Sequence, residues 1–182
     1  MNADAKVLSK AQVAIFRASE APDLGGETMP LGRMRPADER GRIAALEVGM
    51  ADSAVIRLLF KDDDRGVSLT YAWFKKHATL PRHSHSADCL YYVVSGSLKF
   101  GSEELSAGDS FLVPADTLYS YEVGPDGLEV LEFRTATEFD ISFSGTDASW
   151  AKLIDNLKVQ QAAWASLVPP LAARKMMSRA TD

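Results

Sequence analysis

From residue 42 to about residue 143 the chain is written in short apolar runs, each closed by a turn signal. "SAVIRLLF" is followed by the turn "KDDDRG" and then by "VSLTYAWF". In the latter, Val67, Leu69, Tyr71 and Trp73 alternate with Ser68, Thr70 and Ala72, the period of two that belongs to a strand. "CLYYVV", "SLKF", "SFLVP", "YSYEV" and "LEVLEFR" continue the series, separated by "SGS", "GSEE", "SAGD" and "GPDG". Runs this short leave no room for the crossover helices of a parallel sheet. The segment reads as an all-β sandwich or barrel.

The flanks have another texture. Val7, Leu8, Ala11 and Ile15 fall on one face of a weak helix over residues 3 to about 19. "APDLGGETMPLGRMRP" after it has no periodicity and reads as an irregular arm. From about residue 147, Trp150, Leu153, Ile154, Leu157 and Trp164 make a helical stripe. Asp147 or Ser149 is expected to cap it, and Pro169-Pro170 to stop or kink it. The expected organisation is an N-terminal helix and arm over 1–41, a barrel over 42–143 and a helical segment over 144–182.

Charge and composition narrow the function. A net charge of -5 argues against nucleic acid or an anionic membrane surface as partner. No apolar run approaches the ~18 residues of a membrane span, and the N-terminus lacks the apolar region of a secretory signal. Cys89 is the single cysteine, so no intrachain disulfide forms, and a cytoplasmic protein is expected.

One stretch carries chemistry. In "LPRHSHSADCLYYVVSGSLKFG", His83 and His85 are spaced i, i+2, which puts both on one face of a strand as a two-point chelate. If the strand continues in phase, Cys89, Tyr91 and Val93 share that face, while Asp88 points away. A bulge would exchange Asp88 for Cys89. Of Glu129 and Glu132 on a later strand, one could face inward.

Together with "LSAGDSFLVPADTLYSYEVG", this stretch resembles the two motifs of the cupin superfamily, over about residues 70 to 134. His83, His85 and Gly96 fill their places in the first motif, and Gly108 and Pro114 in the second. Four positions depart from the pattern. Cys89 stands in the glutamate slot and Tyr119 in the third-histidine slot, while His77 and Asp116 stand where glycines are usual. The resemblance implies an all-β fold, a cupin jelly-roll barrel with N- and C-terminal helical extensions, and a homodimer. The large residues of the arm and C-terminal helix, Trp150 and Trp164 among them, add a reason for the dimer.

The resemblance also implies a divalent transition metal inside the barrel, held by His83, His85 and Cys89. Imidazole and thiolate favour zinc, with Fe, Ni, Cu or Mn compatible. Tyr119 then lies beside the metal as a weak fourth ligand or hydrogen-bond donor, and Tyr91 and Tyr119 are the candidate catalytic residues. His77 is expected at the rim. The alternatives are a metal-free barrel that binds a small molecule, and an epimerase-like enzyme that pairs a histidine base with a tyrosine acid. In every case the partner is a small-molecule ligand or substrate.

Overall fold

The computed structural model describes residues 13–178. Eight strands build the body: β1 (Ala54–Asp62), β2 (Val67–Phe74), β3 (His83–Ser84), β4 (Cys89–Phe100), β5 (Glu103–Ser106), β6 (Ser110–Val113), β7 (Glu122–Arg134) and β8 (Ser142–Phe143). The larger sheet runs β1-β2-β7-β4-β5, with β6 also on β4, and a two-stranded sheet pairs β3 with β8. Every ladder is antiparallel. The architecture is a cupin-type jelly roll with helical extensions.

β4 and β7 are the long central pair, and period two sorts their side chains. Cys89, Tyr91 and Val93 of β4 and Leu128 and Val130 of β7 enter the main core. Leu90, Tyr92 and Val94 face outward and are roughly half exposed. β4 then bends at a register shift between Gly96 and Leu98. Gly96 sits at φ 75°, and a Cβ there would lie 2.0 Å from the Gly127 carbonyl oxygen, so only glycine fits.

In β2 the alternation is present, but its faces are the reverse of a simple hydropathy reading. Ser68, Thr70 and Ala72 are fully buried on the inner side. Tyr71 and Trp73 belong to a second, outer core with Ala21, Ala173 and Met176. The N-terminal arm and the last helix therefore cover an apolar outer sheet face.

Three helices flank the strands, and two of them differ from expectation in informative ways. α1 (Pro36–Glu47) occupies a stretch expected as arm and early barrel, so the strands begin at Ala54 rather than near residue 42. Pro36 at its first turn supplies the preset φ of a helix start. α2 (Asp147–Trp164) is the expected C-terminal helix, but its cap is Thr146, with Ser149 the reciprocal member of a capping box. Trp150, Leu153, Leu157 and Trp164 are buried on it, with Ile154 packed at the margin. Both tryptophans are thus spent inside the chain and offer no surface to a second copy. α3 (Leu171–Met177) follows Pro169-Pro170.

The helix expected over residues 3–19 lies mostly outside the described residues. Within them, residues 13–17 are not helical and Ala18–Glu20 make a single 3-10 turn. The arm beyond is pinned by Leu58 N–H to Pro22 O, Gly32 N–H to Ile141 O and Phe139 N–H to Thr28 O, at 2.9–3.0 Å. No described helix is long and apolar enough to cross a membrane.

Candidate functional site

The two motif segments meet where His83 pairs with Tyr119. His83 N–H donates to Tyr119 O at 3.0 Å, and Tyr119 N–H returns the bond to His83 O at 2.9 Å. Asp116 N–H donates to His85 O at 2.7 Å. His77 and Asp116, in the two family glycine slots, have φ 57° and 59°. The left-handed backbone that glycine would adopt is kept without the glycines, and these are the only non-glycine positive-φ residues among those described. His77 is exposed outside the barrel, and Asp88 is exposed with its carboxylate accepting from Ala115 N–H. The bulge that would turn Asp88 inward is not formed.

Inside lies a cavity of about 210 Å³ whose polar lining includes His83, His85, Tyr91, Tyr119, Glu132 and Arg134. The histidines are 4% and 7% exposed, with ring centroids 5.0 Å apart. Pro81 O lies 2.7 Å from His83 Nδ1, and Asp140 O lies 2.7 Å from His85 Nδ1. A carbonyl only accepts, so each Nδ1 carries the proton and each Nε2 keeps a lone pair. Burial drives both imidazoles down to about 4, helped at His83 by the neighbouring His85 and at His85 by Arg134. Both are neutral at pH 7.

Across the cavity the hydroxyls of Tyr91 and Tyr119 are hydrogen-bonded to each other. Burial raises both phenols, and Glu132 adds to the rise, so both hold their protons. Tyr91 stacks on Phe111 at 4.5 Å, and Tyr119 lies 4.4 Å from the His83 ring.

Cys89 has the expected parity but not the expected role. It is 1% exposed and is not among the side chains that line the cavity. Its thiol is hydrogen-bonded with Tyr91, and burial pushes it up to about 12. The remaining carboxylate, Glu132, is held by Arg134 at 2.8 Å. Among the described residues no three His, Cys, Asp or Glu side chains converge as a metal-holding group. Two histidines fit a metal ion, but Cys89 does not join them as a third member, and a buried guanidinium shares the space. The residues present do not fit the His83–His85–Cys89 centre.

Sequence reasoning left Glu132 as one of two options and missed Arg134. Both reach the cavity because β7 continues the inward phase of Leu128 and Val130. Glu132 stands opposite Tyr91 in the β4–β7 ladder and Arg134 stands opposite Cys89. Glu129 takes the other face, accepting from Tyr71 at 2.9 Å.

Strand order and the paired motif segments define the class: a barrel of cupin-type fold with polar groups in its interior. No family model and no curated protein matches the chain. Solved structures similar to it are cupin-like. One is an RmlC-like cupin from Shewanella frigidimarina, 25% identical over 46% of this chain and 76% of that one, TM-score 0.39. Another is a protein of unknown function with a cupin-like fold from Ralstonia eutropha, 17% identical over 83% and 89%, TM-score 0.48. A third is the polyketide cyclase RemF from Streptomyces resistomycificus, 15% identical over 68% and 84%, TM-score 0.46.

Proposed function

We propose that the barrel is a binding site for a small organic molecule, held directly by side chains. The observation that carries this reading is the cavity between the sheets, whose polar groups are complementary to such a molecule rather than to a metal ion. Two imidazole Nε2 atoms accept hydrogen bonds, and the phenol pair of Tyr91 and Tyr119, with one proton spent between them, has one left to donate. Phe74, Ile141 and Phe143 supply apolar contact around them. An imidazole held near 4 is a good acceptor and a weak base, so binding and orientation come before proton abstraction.

The test is imidazole ¹⁵N NMR of the purified protein, titrated separately with a panel of small polar compounds and with Zn²⁺. Binding of a panel compound should move the Nε2 signals of both His83 and His85. If no compound moves them and stoichiometric Zn²⁺ does, the direct-binding reading falls and the metal reading replaces it.

The protein is also proposed to pair with a second copy, through the outer face of β4, β6 and β7. Leu90, Tyr92, Val94, Leu112 and Phe133 are all 40–61% exposed there. Leu90 stands opposite both Leu112 and Phe133, so the patch is continuous.

A further inference from the structure

We propose that Arg134 anchors a carboxylate on the molecule in the barrel, and that the ligand class is a small monoanionic hydroxy acid. The proposal rests on the reading of the cavity as an organic-ligand site and names what that site selects.

Arg134 is 1% exposed and lines the cavity. Its Nη2 bonds Glu132 Oε2 at 2.8 Å, and its guanidinium lies over the Phe139 ring at 4.0 Å. Its Nε and Nη1 are buried without a hydrogen-bond partner among the described residues. Buried donors on a guanidinium are costly to leave unmet, and a cation cannot shed them by deprotonating. One carboxylate on one nitrogen satisfies this group in part. The group therefore calls for further acceptor oxygens at Arg134.

The two histidines call for the opposite. His83 and His85 have each spent their N–H on a backbone carbonyl and present lone pairs. They need donors, which hydroxyl groups provide. A molecule that carries a carboxylate and one or more hydroxyls meets both demands. Glu132 sets the charge. Its carboxylate beside Arg134 tolerates one further negative charge shared with the guanidinium and disfavours two, so a carboxylate is selected over a phosphate. About 210 Å³ limits the ligand to a small acid.

The experiment compares glycerate with glycerol, which keeps the hydroxyls and lacks the carboxylate. Inorganic phosphate and chloride at matched ionic strength are the anion controls. Thermal unfolding and calorimetry of the full chain give the readout. Glycerate should bind at least about tenfold more tightly than glycerol, with phosphate no better than chloride. Arg134→Met should abolish the preference of glycerate over glycerol. Should that variant fail to fold, Glu132→Gln decides. It keeps the side-chain shape and removes the competing charge, so glycerate should bind about tenfold more tightly than to the native protein. Glycerol binding as well as glycerate, or glycerate binding unchanged or weakened in Glu132→Gln, overturns the anchor and leaves the organic-ligand reading in place. Binding of neither compound overturns both.

Discussion

Acidification should unload the barrel's two neutral histidines and with them a large part of its stability. His83 and His85 are held at about 4 in the folded chain, against 6.5 in an unfolded one. The folded value is the lower, so below about pH 6.5 the unfolded chain binds more protons than the folded one. The stability is complete above that pH and falls until pH passes through about 4. At about pH 5 an unfolded imidazole is nearly fully protonated and a buried one about one-tenth so. The loss is then about 2 kcal/mol per histidine, or about 4 kcal/mol for the pair, relative to about pH 8. A domain of this kind has only about 5–15 kcal/mol in total. Urea midpoints read by tryptophan fluorescence at about pH 8, 7, 6 and 5 give the profile. The double variant His83→Gln/His85→Gln should lose most of the slope. Equal stability of the native protein at about pH 8 and 5, or a full slope in the double variant, would refute the reasoning.

Two further outcomes follow from packing. Asp38 is fully buried and accepts from Arg35 Nε, Gly145 N–H and Trp150 Nε1 at 2.7–3.0 Å, which ties α1 to the start of α2. Asp38→Ala should cost about 3 kcal/mol in urea unfolding, with Asp38→Asn retaining part of the bonding. Leu112→Glu places a charge in the exposed patch on β6 and should convert a dimer to a species near 20 kDa by light scattering, without lowering the melting temperature. A native protein already monomeric at micromolar concentration would count against the pairing.

Much of the site was legible because strands are simple to phase. His83, His85 and Tyr91 reach the cavity on the expected parity, and Tyr119 meets them through the second motif segment. Cys89 shows the limit of parity. Period two decides which side of a sheet a residue faces, but not whether a larger neighbour such as Tyr91 stands between it and the space. Arg134 was hidden for another reason. "LEVLEFR" puts glutamates on both faces and ends in a cation, and hydropathy assigns arginine to solvent. The period-two phase of Leu128 and Val130 places it inside against that expectation. α1 was equally silent, since its buried positions are Asp38, Gly41 and Ala45. Gly41 lies so close to Trp150 that a Cβ would come within 2.4 Å of the indole. A helix that packs through a carboxylate and a missing side chain leaves no apolar stripe.

His77 and Asp116 bear on how a ligand reaches the space between the sheets. Glycine at both corners would let the hairpins swing through a wide range of backbone angles. Histidine and aspartate at φ 57° and 59° confine each corner to one narrow well. The walls carrying His83 and Tyr119 are thereby stiffened, the latter only three residues beyond Asp116. Leu24, Met29, Met50 and Ala51 line the same cavity from outside the strands. Ligand exchange rates should therefore respond more to changes in the N-terminal arm and the 3-10 turn before β1 than to changes in the motif hairpins.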